Sequence, residues 1–211
     1  MGWFAGIHGS SPSLRKQLID LCGGATFEAE NDVFFVAAGG HPSTTFFETN
    51  ADATKGWIAC GIGMGRQDIG KGIFRHIDWR AIIQREHTES KRFSNLNGHF
   101  AIANCTYGQV ELYTDPLGLR NIYIYSSESF TLFSTRLDWI KKLIPDTEID
   151  WKKFGSRWLA INQFSNDSFL SGVNRLSQEG YACIKDQGLK SLKSGGVLMR
   201  LKHHLRFSKR P

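Results

Sequence analysis

The sequence contains few of the residues that mark several classes of protein. Only four cysteines occur among 211 residues, and no two form a C-x-x-C pair, which argues against a disulfide scaffold and a structural zinc site. Their neighbours are apolar or small, as for buried thiols, so we expect a reducing, cytoplasmic compartment. No apolar run approaches the ~18 residues of a membrane span. The first residues, MGWFAGIHGSSPS, also lack the features of a secretory signal.

Aromatic residues, by contrast, are plentiful, and basic residues are unevenly distributed. With 15 Phe, 6 Trp and 5 Tyr the chain has enough large side chains for a globular core. Residues 187–211 contain seven basic residues and no acid, whereas the rest contains 19 basic and 20 acidic residues. The net charge of +6 therefore comes from the end of the chain and does not indicate a nucleic-acid-binding body. We expect a domain at 1–186 and a basic tail at 187–211.

Hydrophobic patterning predicts a mixture of strands and helices. Ser11 and Pro12 suit the start of a helix over 11–22, and Gly23-Gly24 suits its end. Meandering strands separated by groups of helices predict an α+β protein with antiparallel sheets. The other predicted strands are 33–36, 57–62, 100–105, 109–114, 122–125, 130–133 and 181–184, and the other helices are 78–86, 137–144 and 150–161.

Single residues that could perform chemistry are few, and each has an ordinary structural explanation. Asp115 begins a D-P-L-G turn, where an aspartate more often caps the turn than acts as a catalyst. Arg120 lies on a hairpin predicted at Asp115–Tyr123 and is either a residue that faces a partner domain or a solvated arginine. His99 is interpreted as a hydrogen-bonded histidine, and His203-His204 lack the further ligands of a metal site. No metal site is predicted, and the glycine-rich 61–65 lacks the lysine of a phosphate-binding loop.

Five segments, taken together, resemble one family. L-N-G-H-F-A at 96–101 is similar to L-x-G-x-F-A, and D-P-L-G-L-R-N-I-Y at 115–123 is similar to D-P-x-G-x-[KR]-P-L-Y. A strand-to-helix step begins at Leu132-Phe133-Ser134, Ala5-Gly6-Ile7 matches the family's opening, and 165–184 is similar to its closing segment. The set resembles the N-terminal glutaminase domain of asparagine synthetases, a class II glutamine amidotransferase. This resemblance implies an Ntn-hydrolase-like, four-layer sandwich of two antiparallel sheets flanked by helices.

The sequence departs from this family where the chemistry is done. The family's nucleophile is a cysteine that follows the initiator methionine and uses its own α-amine as the base, whereas Gly2 stands here. Cys22 lies far along the chain and has no free amine. The N-G-E-I-Y-N and R-L-S-I segments that supply the oxyanion hole and bind glutamine are missing. We therefore expect no catalytic residue and a degenerate active site, as in β-lactam synthetases or lasso-peptide macrolactam synthetases.

The resemblance implies that the domain binds a synthetase partner and does not itself hydrolyse glutamine. We expect this domain to support an ATP-dependent synthetase subunit or domain that forms an amide bond. ATP and Mg belong to that partner, so no cofactor is expected in this chain. We expect no nucleic acid partner and no membrane span, and we consider a homodimer. The residues predicted to carry the family motif or face the partner are Asn97, Gly98, Phe100, Asp115, Pro116, Gly118, Arg120 and Tyr123.

Alternative interpretations remain open for the domain and for its tail. The domain could be a stand-alone binding or regulatory module, or a truncated fragment without function. The tail has Val197, Leu198, Leu201 and Leu205 at helical spacing among bases, which suits an amphipathic helix on a partner or on an anionic membrane. It could also be a nucleic-acid arm or the stub of a missing synthetase domain. Ser194-Gly195-Gly196-Val197 repeats only the beginning of the synthetase S-G-G-x-D-S loop.

Overall fold

The computed structural model describes most of the chain from residue 2 to residue 193. The described residues are 2–52, 54–65, 79–80, 82–83, 93, 96–160, 167–176, 178–185 and 188–193, with backbone alone at 64, 65, 97 and 156–160. Their helices are α1 (Pro12–Leu21), α2 (Leu137–Leu143) and α3 (Trp151–Ala160). Their strands are β1 (Trp3–Gly9), β2 (Phe27–Glu30), β3 (Phe34–Gly39), β4 (Thr45–Thr49), β5 (Lys55–Gly65), β6 (Leu96–Thr106), β7 (Gln109–Thr114), β8 (Ile122–Ser126), β9 (Phe130–Ser134), β10 (Val173–Leu176), β11 (Tyr181–Lys185) and β12 (Gly188–Lys193).

The described strands form two antiparallel sheets of six strands each. Sheet I has the order β10-β8-β9-β1-β3-β2, and sheet II has the order β12-β11-β7-β6-β5-β4. Side chains between the sheets form one apolar core, which includes Phe4, Phe34 and Phe133 from sheet I and Leu112 and Ile184 from sheet II. The two sheets therefore pack face to face, with each contributing one side to a shared interior.

Helical residues cover the outer face of each sheet. Leu18 of α1 and Trp139 of α2 pack in one cluster with Ile7 of sheet I. Trp79 and Ile83, two of the described helical residues, pack with Phe100 and other residues of sheet II. This arrangement confirms the predicted four-layer α+β sandwich of two antiparallel sheets flanked by helices. Because its central strands are covered on both faces, β3 is buried at all six positions.

Most predicted elements are present, and the strands that were missed are those with a weak hydrophobic signal. The predicted strands did not include β1, β2, β4, β10 and β12. Within β1, glycine and histidine interrupt the apolar pattern, and β2, β4 and β10 are only four or five residues long. The strand β12 pairs with β11 and extends sheet II beyond residue 186, inside the segment predicted as a basic tail.

The hairpin of β5 and β6 is longer than the sheet that contains it. Its eleven residue pairs run from Lys55–Thr106 to Gly65–Leu96. Pairing with β4 ends at Cys60 and pairing with β7 begins at Ala101, so the last five pairs extend beyond both neighbouring strands as a two-stranded ribbon. Gly61 and Gly98, with φ of +111° and +124°, allow each strand to approach a carbonyl of the other more closely than a Cβ would permit.

A buried histidine connects the two sheets at the end opposite the chain start. His8 on β1 is fully buried, and its Nε2 donates a hydrogen bond of 2.5 Å to the carbonyl oxygen of Gly108 in the β6–β7 turn. The strands on either side of this turn were predicted, but the contact of the turn with β1 was not. Among the described helices, none is long and apolar enough to cross a membrane.

We predict that replacement of Gly6 by alanine lowers the free energy of unfolding by about 1–3 kcal/mol. A Cβ at residue 6 would lie inside 3.0 Å of both the Phe133 ring and the Phe35 carbonyl oxygen, where β1 passes between β3 and β9. Urea unfolding followed by fluorescence measures the change. Gly155→Ala in α3 is the control: a Cβ there meets nothing within 4 Å, so it should stabilise the helix. Equal effects of the two substitutions would contradict the tight packing at Gly6.

Candidate functional site

The residues at the start of β1 lie at one end of the sandwich, which we call the N-terminal end. Four segments meet there: Gly2 before β1, the short helix Pro42–Thr44, the middle of β5 at Cys60, and the loop Asp115–Arg120. This loop leaves β7 of sheet II and enters β8 of sheet I. The segment was predicted as a hairpin, which was wrong, because β7 pairs with β6 and β11 while β8 pairs with β9 and β10.

Gly2 occupies a closed position. Its backbone N–H donates a hydrogen bond of 3.0 Å to Thr44 Oγ1, and its carbonyl oxygen accepts one from Nη2 of Arg120. A Cβ on residue 2 would lie inside 3.0 Å of the Thr44 carbonyl oxygen and the Thr45 hydroxyl. The Thr45 hydroxyl is itself held by the carbonyl oxygen of Gly39 at 3.1 Å. A side chain at residue 2 would therefore have to displace backbone and not only a flexible neighbour.

The loop after β7 is organised by the carboxylate of Asp115. Oδ1 accepts hydrogen bonds from the backbone N–H groups of Leu117 (3.0 Å) and Leu119 (3.1 Å), and Oδ2 accepts one from Arg120 (2.9 Å). Gly118 has a φ of +64°, a conformation that glycine adopts without strain. Asp115 is fully buried, so its carboxylate acts as the cap of this turn, as the sequence indicated.

Arg120 points into the protein. Only 8% of it is exposed, so neither the solvated nor the partner-facing interpretation of this residue holds. Its Nη2 binds the Gly2 carbonyl, whereas Nε and Nη1 have no hydrogen-bond partner among the described residues. Burial lowers the pKa of the guanidinium, and the nearby Cys60 and Asp115 oppose this shift. Arg120 therefore serves as an internal connection between the loop and the first strand.

The cysteine that lies in this cluster is not set up as a nucleophile. Cys60 is fully buried, and burial raises the pKa of its thiol to about 12, although the Arg120 charge acts in the other direction. Burial likewise raises the pKa of Cys22, which also interacts with Glu28, and of Cys105 to about 12. A nucleophilic cysteine needs a low pKa and access to solvent. These three thiols have neither property.

The remaining motif residues are placed by the same loop and by β6. Phe100 is fully buried and belongs to the outer cluster of sheet II, and Pro116 and Tyr123 are half-buried. Gly98 lies in the β5–β6 ribbon, next to Asn97, whose side chain is not described. His99 is half-buried and pairs with Ile62 in the β5–β6 ladder, and no hydrogen bond joins its side chain to a described residue.

The exposed part of the motif consists of two residues that the prediction did not single out. Leu117 and Leu119 are 59% and 60% exposed. Their backbone N–H groups are bound by the buried Asp115, so the loop holds both leucines in a fixed orientation toward solvent. In this loop the buried residues Asp115, Gly118 and Arg120 flank the two exposed leucines. The only sequence signal for this arrangement is the L-G-L spacing, and that spacing does not show which residues of a loop are buried.

The described residues of the N-terminal end thus bring together the Gly2 backbone, two threonine hydroxyls, a buried thiol and a buried arginine. Sequence reasoning did not identify Thr44, Thr45 and Cys60 as its members, because they are distant along the chain and belong to no motif. Among the described residues no cluster of three or more His, Cys, Asp or Glu could hold a metal ion. The predictions for His203-His204 and Ser194–Val197 concern residues outside the described part of the chain.

Comparison with solved structures finds chains that are similar to this one in fold. Glutamine phosphoribosylpyrophosphate amidotransferase from B. subtilis, complexed with ADP and GMP, is 12% identical with a TM-score of 0.47, over 93% of this chain and 50% of that chain. A structure described as the allosteric regulatory enzyme of purine biosynthesis is 12% identical with a TM-score of 0.49, over 93% and 49%. This chain thus spans about half the length of these proteins, and at this identity the likeness is one of fold alone. No family model and no curated protein matches the chain.

We predict that Asp115→Asn lowers the free energy of unfolding by about 2–4 kcal/mol. The asparagine amide group has one acceptor oxygen where the carboxylate has two, so at least one of the three N–H groups, of which that of Arg120 is buried, loses its partner. The variant also removes the negative charge beside the buried Arg120. Chemical denaturation measures the loss. Asp146→Asn, at an exposed aspartate, is the matched control and should change stability by less than about 0.5 kcal/mol. A similar small change for Asp115→Asn would contradict the capping role.

We predict that at most one thiol of the folded chain reacts promptly with Ellman's reagent at pH 8. Cys22, Cys60 and Cys105 are buried with pKa values raised to about 12, so only about one in 10⁴ of each is thiolate at that pH. Cys183 is half-buried, and it is the candidate for the reactive one. In denaturant all four thiols should react. Prompt modification of Cys60 in the folded chain, located by mass spectrometry, would contradict the closed geometry.

Proposed function

We propose that this chain is a glutamine amidotransferase-like domain of the asparagine synthetase type that no longer hydrolyses glutamine. In this proposal it supports a separate ATP-dependent synthetase that forms an amide bond. The family resemblance of the segments at 96–101 and 115–123 supports the assignment. The two sheets and their flanking helices are compatible with it, although fold alone does not determine function.

The surroundings of Gly2 are the main support for an inactive site. Amide hydrolysis of this type needs a thiol next to a free amine at the chain start. Gly2 offers no thiol, and Thr44 and Thr45 occupy the space that a side chain would need. Cys60 is the cysteine coupled to the same cluster through Arg120, but its thiol is buried and largely protonated. None of the described groups replaces the missing nucleophile.

The loop Asp115–Arg120 supports the proposed role as a docking domain. Two exposed leucines on a rigid loop present apolar surface at little entropic cost, because the backbone is ordered before any partner arrives. Leucines exposed singly are ordinary, so the argument depends on the pair and on the buried carboxylate that fixes it. ATP and Mg are assigned to the partner in this proposal.

We predict that the tagged chain captures an ATP-binding synthetase from its native host. Leu117→Asp combined with Leu119→Asp should lower the captured amount at least about tenfold, because two buried apolar contacts would become charged. Mass spectrometry of the captured proteins is the measurement. Ile149→Asp is a matched control, since Ile149 is also exposed but lies outside this loop, and it should leave capture unchanged.

Two results would contradict the proposal. The first is release of ammonia from glutamine by the purified chain at an enzyme-like rate. The second is the capture of no ATP-binding synthetase by the unsubstituted chain, or the capture of as much of it by the double leucine variant as by the unsubstituted chain. Either the inactive site or the docking role would then be wrong, and the two measurements distinguish between them.

A further inference from the structure

The end of the described chain and the exposed leucine loop lie at the same end of sheet II. In β11, Tyr181 pairs with Tyr113 of β7 on one side and with Lys193 of β12 on the other. Tyr113 is two residues before Asp115, where the loop begins. Two strand spacings amount to about 10 Å, so the backbone leaves β12 at Lys193 close to the start of the loop.

A second set of contacts fixes the loop against the neighbouring strand. The backbone N–H groups of Thr114 and Glu179 donate to the carbonyl oxygens of Gly180 and Asp115 at 3.1 and 3.0 Å. Gly180 N–H in turn donates to Thr114 Oγ1 at 2.9 Å. The loop is therefore fastened to the start of β11, and its position relative to the end of β12 follows from the sheet.

The eighteen residues after Lys193 have a composition that suits an apolar surface nearby. Val197, Leu198, Leu201 and Leu205 occur at helical spacing, with basic residues between them and no acid. Val197 is four residues from Lys193 and Leu201 is eight, so fully extended chain would reach about 14 and 28 Å. Both lengths exceed the two strand spacings that separate Lys193 from Tyr113, the residue two positions before the loop.

We propose that residues 194–211 dock on the loop Asp115–Arg120 of the same chain, with Leu198, Leu201 and Leu205 covering Leu117 and Leu119. The apolar side chains of the segment and the loop remove each other from water, while the basic side chains stay in solvent. Tethering through Lys193 raises the effective concentration of the segment at the loop to the order of millimolar, so a weak contact is enough. This contact does not require the synthetase partner, and a partner that binds the same two leucines would have to displace the segment first.

Disulfide cross-linking in the full-length chain tests this contact. In a Cys183→Ser background, which removes the half-buried thiol, Leu119→Cys is combined with Leu201→Cys and exposed to oxidised glutathione. The matched control pairs Leu201→Cys with Glu128→Cys, because Glu128 is also exposed but lies in the β8–β9 turn at the opposite end of sheet I. Each thiol pair is oxidised to one disulfide while glutathione disulfide is reduced, and mass spectrometry separates intramolecular from intermolecular products.

We expect the intramolecular disulfide of the Leu119–Leu201 pair to form at least about tenfold faster than that of the control pair. Adding Leu198→Asp and Leu205→Asp should reduce its rate to the control value, because charged residues at these positions would prevent docking. Equal rates for the two pairs would overturn the proposal. So would a rate unaffected by the aspartates, which would indicate tethering without docking. Disulfide-linked dimers as the main product would assign the surface to a second copy of the chain and also overturn it.

Discussion

The buried carboxylate of Asp115 determines the arrangement of the whole N-terminal end of this protein. By accepting three backbone hydrogen bonds it turns the chain from one sheet to the other within a few residues. The turn directs Arg120 inward to the carbonyl of Gly2 and directs the leucines on either side of Gly118 outward. A single acid therefore organises the interior around the first residue and the exposed surface beside it. Such a group is costly to remove because its partners would stay buried.

Most elements of the fold were predictable from the sequence, because their hydrophobic pattern reflects how each strand or helix is buried. The runs at 33–36 and 100–105 are apolar because helices and the opposite sheet cover both faces of their strands. The β8–β9 hairpin has a clear turn between two short apolar segments. β1 was missed because Gly6 and His8, which its packing requires, break the hydrophobic pattern. Local pattern identifies an element when its burial is uniform and fails when a contact with a distant residue dictates the residue type.

The geometry of the candidate site was not predictable from the sequence. The sequence alone shows that residue 2 has no thiol, and the proposed loss of glutamine hydrolysis starts from that observation. Thr44 and Thr45 occupy the space around Gly2, and Arg120 is buried against the Gly2 carbonyl. These contacts join residues more than forty positions apart, so the sequence did not reveal them. The sequence placed Arg120 on the surface because an isolated arginine after a turn is usually solvated. It is buried here because the charge of Asp115 and the Gly2 carbonyl provide partial compensation.

The long β5–β6 hairpin constrains how the gene for this protein can change in length. All eleven pairs share one register, and successive residues of each strand face opposite layers. Insertion or deletion of one residue in either strand would exchange its two faces, moving Trp57 toward the interior and Ile58 toward the helical layer. Gly61 and Gly98 would also lose their alignment with the carbonyls they approach. Within this hairpin, a change of length leaves the register of the eleven pairs unchanged only if it falls between the two strands, after Gly65 and before Leu96.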